Sequence, residues 1–288
     1  MRQVARTAPL RGIDYEPATW PGAKPDEMRI GPDELPARVV KLHNAHKAHF
    51  IRQYAHTVAI AMKDRWSYRA FIDTYAGPGM CWVEDTGEFV DGSPLIALEA
   101  EPRFTHHVLV DMDSRCTSAL TQRLTDAEPT IICADSNSTE TIDEVRAVIP
   151  RRGCLSLALL DPQGCTLHLD TIRHLTDDRP MDLLINLPIH SLYRCLKAGY
   201  WSVLSDVLGP DWPRTAPGGV PGWRAAIRAH YREKLAEMGY VHSSAKEVRS
   251  EKRKSPLYDF ILASKHPLAK KLFEEVTKET AHGQLRLV

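Results

Sequence analysis

The densest chemistry in the chain lies in Ala70-Phe71-Ile72-Asp73-Thr74-Tyr75-Ala76-Gly77-Pro78-Gly79. An apolar run ends in an acid and enters Gly-x-Gly, where glycines let the backbone turn tightly and approach a ligand at the carboxyl edge of a strand. Two later runs end the same way, at Val110-Asp111 and at Ala134-Asp135. A fourth, Leu157–Leu160, runs into Asp161-Pro162-Gln163-Gly164, and a fifth, Leu183–Ile185, into Asn186-Leu187-Pro188. A single such Asp is usually a helix N-cap. Three in succession, each closing a strand, point instead to a crevice lined by carboxylates.

The ligand follows from what the turn lacks. A dinucleotide fingerprint needs a third glycine where Trp82 stands, which weakens a NAD-dependent dehydrogenase reading, and no Gly-Lys-Ser/Thr follows for a P-loop. An acid beside Gly-x-Gly suits a cofactor without phosphate, whose ammonium and ribose groups seek carboxylates. S-adenosyl-L-methionine (SAM) is such a cofactor. Asp73, Gly77 and Gly79 form its turn, Asp111 can accept both bonds of a ribose diol, and Asp135 can accept from an adenine amino group. Asp161 then stands where it could orient or deprotonate a methyl acceptor. Asn186 could hydrogen-bond that acceptor or cap the next helix.

These side chains need strands that end at one edge. Arg69–Tyr75, His107–Asp111, Thr130–Cys133, Leu155–Leu160 and Met181–Asn186 read as strands. Helical segments at Pro94–Glu101, Ser114–Thr125, Ser138–Val148 and Leu167–Leu175 alternate with them. Continuous apolar strands alternating with helices predict an α/β, Rossmann-like, doubly wound, mostly parallel sheet. Helices over Pro188–Leu208 and Trp223–Met238 follow, then strands at Tyr240–Val248 and Leu257–Ala263 that make an antiparallel C-terminal edge. A helix over Pro267–Thr280 closes the chain. Upstream, residues 1–36 carry Pro9, Pro17, Pro21 and Pro25 and read as an irregular arm. Residues 37–66 read as one N-terminal helix, with Leu42, Ala45, His49, Tyr54, Val58 and Ala61 near helical spacing. The methyltransferase-like domain is expected over 67–288, with a basic hairpin at 240–264. The insertion Met80–Asp91 reads as a lid over the site or as a surface hairpin.

Composition narrows the class. Lys+Arg and Asp+Glu each number 37 among 288 residues, so no global charge draws the chain to nucleic acid or anionic lipid. No apolar stretch has membrane-spanning length, the first residues lack a signal-peptide core, and the six cysteines form no C-x-x-C pair. A cytoplasmic protein with reduced thiols is expected.

The motifs Phe71–Gly79, Gly92–Glu99, Leu159–Gly164 and Asp182–Ile189, with His46-Lys47-Ala48-His49 and Leu257–Leu268, resemble the three-Cys-motif partner proteins, TcmP. The resemblance spans nearly everything from residue 40 to 280. It implies a class I SAM-dependent methyltransferase fold, cofactor residues Asp73, Gly77, Gly79, Asp111 and Asp135, and a cofactor edge facing Lys47 and His49. It also implies a partner, a three-Cys-motif protein similar to radical-SAM enzymes. The expected activity is methyl transfer to a nucleic acid or to a product of that partner; the alternative is a catalytically silent binding module.

Gln163-Gly164 stands where amine-directed nucleic-acid methyltransferases carry a second proline and an aromatic residue, which argues against that acceptor class. Cys165 reads as a buried thiol more readily than as a covalent nucleophile. Lys246, Arg249, Lys252, Arg253 and Lys254 offer a nucleic-acid contact or a solvated edge, joined by Arg224, Arg228 and Arg232. His43, His46 and His49 fall at helical spacing without a visible fourth ligand, so no metal site is expected.

Overall fold

The computed structural model describes residues 27–212, 219–250 and 254–282. Strands β1 (Met28–Ile30) and β2 (Pro36–Val40) precede the long helix α1 (Leu42–Met62). Strand β3 (Tyr68–Asp73), the hairpin β4 (Met80–Val83) and β5 (Glu88–Asp91), and α2 (Ser93–Leu98) follow. The alternating part runs β6 (His106–Asp111), α3 (Ser114–Arg123), β7 (Thr130–Cys133), α4 (Thr139–Val148), β8 (Cys154–Leu160), α5 (Leu169–Thr176) and β9 (Met181–Leu187). Helices α6 (Ile189–Ala198), α7 (Trp201–Leu208) and α8 (Gly219–Glu237), strands β10 (His242–Arg249) and β11 (Pro256–Ser264), and α9 (Pro267–His282) complete the chain.

The main sheet has the order β10-β11-β9-β8-β3-β6-β7. Strands β9, β8, β3, β6 and β7 are parallel, and β11 is antiparallel to both of its neighbours. From β3 the chain steps outward one way through β6 and β7, then returns on the other side through β8 and β9. The order reverses between β3 and β8, the place where open α/β sheets leave a crevice at their carboxyl ends. The central strands are apolar on both faces because both are covered. On β8, Leu157 and Leu159 pack with α1, α2 and α9, while Ala158 and Leu160 pack with α4, α5 and the α6–α8 layer.

The N-terminal region departs from the expectation. Residues 28–40 are not an irregular arm running into a helix. They supply β1 and β2, and β2 pairs in parallel with β4 through Arg38↔Cys81, Val39↔Trp82 and Val40↔Val83. The arm and the Met80–Asp91 insertion therefore form one four-stranded sheet, β1-β2-β4-β5. Local periodicity could not find this, because the partner of Val39-Val40 lies some forty residues downstream. The first 26 residues lie outside the described part.

The phase of α1 also differs. Its buried stripe is Ile51, Tyr54, Ala55, Val58, Ala59 and Met62, and Lys47 lies one turn before Ile51 on the same stripe. The segment Pro188–Leu208 is two helices, since Gly199 takes φ 75° and ends α6.

One buried guanidinium pins the arm to the glycine turn. Arg123, 4 % exposed, donates through Nε and Nη2 to the two Asp33 oxygens at 2.7 and 2.9 Å and through Nη1 to the carbonyls of Pro36 and Pro78. The same bonds hold the Asp33 carboxyl below its ordinary range.

Candidate functional site

A cavity of about 240 Å³ opens at the carboxyl ends of β3, β8 and β9. Its floor is the turn Tyr75–Gly79 with Asp161, Pro162, Gln163 and Asn186. Its roof is Lys47, Ala48 and Ile51 of α1, and its outer wall is Arg38 to Val40 of β2 with Cys81, Val90 and Asp91 of the hairpin. The Met80–Asp91 insertion is thus a hairpin with one side on the cavity.

The turn is built for close approach. Gly77 has φ +65°, and a Cβ there would sit 3.2 Å from Arg38 Nη1; Gly79 has φ +87°, and a Cβ there would meet Leu120 Cδ2 at 3.1 Å. Both positions require glycine. Beneath the turn, Asp73 is fully buried. Its Oδ1 accepts the Tyr75 amide at 3.1 Å, and its Oδ2 has no hydrogen-bond partner. Burial pushes this carboxyl up to about 7, against the pull of the neighbouring Ser93 hydroxyl and the Tyr75 amide.

Asp111 ends β6 and turns inward. Its Oδ2 accepts the Gly77 amide at 2.8 Å and Arg38 Nη2 at 3.4 Å, while Oδ1 accepts the Asp113 amide at 2.9 Å. Asp111 therefore fixes the glycine turn and lies beside Arg38. Asp135 lies two residues past the end of β7, where its Oδ1 accepts the Asn137 amide at 2.9 Å. Of the residues singled out from sequence, Gly77, Gly79, Asp161 and Asn186 line the cavity, Asp73 and Asp111 lie directly behind its turn, and Asp135 is not among its lining residues.

The reactive-looking end is a three-residue cluster. Asn186 donates from Nδ2 to Asp161 Oδ1 at 2.8 Å, and Lys47 forms an ion pair with Asp161 Oδ2. A carboxylate only accepts, so the Asn186 amide has one possible orientation, with Oδ1 turned away from Asp161. That oxygen is buried and unpaired, on a residue 8 % exposed. Asn186 does not cap α6, whose N-cap is Pro188 without a side-chain bond. Lys47, 9 % exposed, also lies 5.6 Å from the centre of the Tyr258 ring.

Arg38 is the site residue that sequence reading missed. Lys47, expected at the cofactor edge from the resemblance alone, lines the cavity, whereas His49 is not among its lining residues; the spacing signal for Lys47 is its place on the α1 stripe. Arg38 was hidden because its strand read as helix. Cys165 is not among the cavity's lining residues; a 3.9 Å contact with the Cys195 thiol, then burial, push its thiol far up, so it is no ready nucleophile. His43 packs on Tyr258 and His49 on Phe50, and the His46 side chain lies outside the described residues. Among the described residues no three His, Cys, Asp or Glu side chains gather as a metal site.

The basic hairpin is partly neutralised. Arg228 pairs with Asp259 and Glu247, and Arg249 pairs with Glu247. Lys252 and Arg253 lie outside the described residues. Arg224 instead lies 5.6 Å from the Tyr193 ring on α6. No described helix is long and apolar enough to cross a membrane.

No protein-family model matches the chain, and no curated protein matches it. Solved structures do. Protein LPL1258 from Legionella pneumophila is 12 % identical over 81 % of this chain and 91 % of its own, with a TM-score of 0.50. An O-methyltransferase from Bacillus cereus, solved with S-adenosylhomocysteine (SAH), is 6 % identical over 76 % of this chain and 80 % of its own, with a TM-score of 0.41. The CurJ carbon methyltransferase is 14 % identical over 75 % of this chain and 54 % of its own, also with a TM-score of 0.41. The chain has a Rossmann-like, doubly wound fold with a mostly parallel seven-stranded sheet. The likeness is one of fold.

Proposed function

We propose that this protein is a SAM-dependent methyltransferase whose site is the cavity between the glycine turn and the Lys47–Asp161–Asn186 cluster. The observation that carries the reading is that this cavity sits at the β3/β8 reversal, with Gly77 and Gly79 in left-handed backbone conformations where a side chain would be strained and tightly packed. The residues fit the amino-acid end of the cofactor. Asp73 Oδ2 is an unpaired buried acceptor just behind the turn, suited to an ammonium, and Arg38 and Lys47 line the cavity as cations suited to a carboxylate. Asp111 ends β6 and Asp135 follows β7, on the side where a nucleoside would lie. When bound, the cofactor supplies an electrophilic methyl group on sulfur. The chain's own part is to orient the acceptor with Asn186 and to hold a negative charge at Asp161 beside it.

The family resemblance extends this reading to a partner, a three-Cys-motif protein similar to radical-SAM enzymes, with a nucleic acid or that partner's product as acceptor. A cytoplasmic location accompanies it. Two observations favour the alternative of a silent binding module. Arg38 already contacts Asp111, and the cavity is smaller than the roughly 300–1,000 Å³ usual for ligand pockets.

Thermal unfolding with and without SAH separates the two. Ligand at a hundred times its Kd adds about 2.7 kcal/mol, or roughly 5–10 °C for a domain of this size. A shift that is lost in Asp111→Ala, with Asp161→Ala still binding but unable to transfer methyl, supports the enzyme. No shift at millimolar SAH, together with co-purification of the three-Cys partner, supports the silent module.

A further inference from the structure

We propose that the methyl acceptor is a neutral primary amino group on a conjugated ring, recognised through Asn186 Oδ1; this rests on the methyltransferase reading above and revises the expectation drawn from Gln163-Gly164, where the missing aromatic removes a stacking surface and leaves the Asn186 acceptor in place. Asn186 lines the cavity, and the unsatisfied atom of its side chain is an acceptor. Asn186 Oδ1 is buried and unpaired, and its amide cannot flip because Nδ2 is committed to Asp161, which is held in turn by Lys47. The incoming group must therefore donate a hydrogen and still attack.

A hydroxyl has one hydrogen. If it donates that hydrogen to Asn186 Oδ1, none is left for Asp161, and an amide oxygen cannot take the proton. An anionic acceptor would set two lone-pair atoms face to face. An alkylammonium has no free lone pair, and the Lys47 cation repels it. A conjugated amine is neutral at pH 7 and carries two hydrogens, one for Asn186 Oδ1 and one for Asp161. Both bonds pull its nitrogen out of conjugation and free the lone pair.

The step balances without another reagent. The nitrogen lone pair forms the new N–C bond, and the C–S bond breaks with its electron pair left on sulfur. The positive charge passes to nitrogen, beside Asp161. One nitrogen-bound proton then leaves to the Asp161 carboxylate and on to water, giving a neutral secondary amine and a neutral thioether.

The test is calorimetric binding to the full chain saturated with SAH, comparing adenosine with inosine and cytidine with uridine. Each pair exchanges an amino group for a carbonyl. At least one amino nucleoside should bind tenfold or more tightly than its carbonyl counterpart, because the carbonyl leaves Asn186 Oδ1 facing another acceptor. Asn186→Leu should erase that preference while SAH still binds; the wild-type comparison stands even if this variant does not fold. Equal or tighter binding of the carbonyl nucleosides overturns the inference, as does absence of amino-nucleoside binding at millimolar concentration. Failure of SAH itself to bind overturns the cofactor reading and this inference with it, and it is seen before any nucleoside is added.

Discussion

Asp73 lies in the interior with one oxygen unpaired, and its replacement by asparagine gives a measurable signature. Burial raises its carboxyl from 3.8 to about 7. In the unfolded chain the group loses its proton near its ordinary value, so between pH 3.8 and about 7 the native state holds a proton that the unfolded state has released. Stability therefore falls as pH rises through this window and stays at the lower level above it. About three pKa units at about 1.4 kcal/mol each give roughly 4 kcal/mol. Asp73→Asn keeps an Oδ1 that can accept the Tyr75 amide and removes the titration. The variant should gain on the wild type by about 4 kcal/mol between pH 4 and pH 8, of order 10 °C in Tm. Urea unfolding of both proteins at half-unit pH steps reads the difference directly, and other titrating groups cancel in it. Parallel stability curves from pH 4 to 8 would show that Asp73 ionises normally in the native state. The same variant should weaken SAH binding, since the carboxylate suited to an ammonium is gone.

Removing Lys47 as Lys47→Met leaves Asp161 with a single partner, at a cost of about 3 kcal/mol in urea unfolding. Adding Asp161→Leu to that variant should recover much of the loss, and a double variant no more stable than the single one would argue that the pair is not coupled. Arg123→Ala frees five acceptors on the arm and the glycine turn. It should cost about 3–5 kcal/mol and raise hydrogen exchange at Gly77 and Gly79, whereas a loss confined to the arm would separate it from the turn. Gly77→Ala, at φ +65° and against the Arg38 guanidinium, should cost about 1–3 kcal/mol in thermal unfolding, and a neutral result would mean that the turn relaxes.

What the sequence made legible was whatever repeats locally. The five parallel strands are apolar along their length because both faces of the sheet are covered, so their runs and terminal acids stand out without a structure. The lone antiparallel insertion of β11 could be read only as an edge, because the pairing partner of a strand is not written in its own residues. The second sheet was illegible for the same reason: β2 carries Arg38 and Val39 to a hairpin far along the chain. Asp111 illustrates the limit at the site. Its position at a strand end was readable, but its role in holding the Gly77 amide and meeting Arg38 depended on the hidden strand.

Lys47 shows how a residue can be both hidden and signalled. A lysine on the buried stripe of a helix has few tolerable fates, because an unpaired ammonium does not remain charged in an interior. It must snorkel to solvent, lose its proton or meet a carboxylate. Lys47 is 9 % exposed and meets Asp161, so the ion pair joins the N-terminal helix to the end of β8 across the cavity. The arrangement spends a core position of α1 on charge instead of packing, which is costly unless the charge is used where it lies. Since Asp161 is in turn the only partner of the Asn186 amide nitrogen among the described residues, the lysine also sets which Asn186 atom is left to a ligand. A helix that merely covered the sheet would carry leucine there.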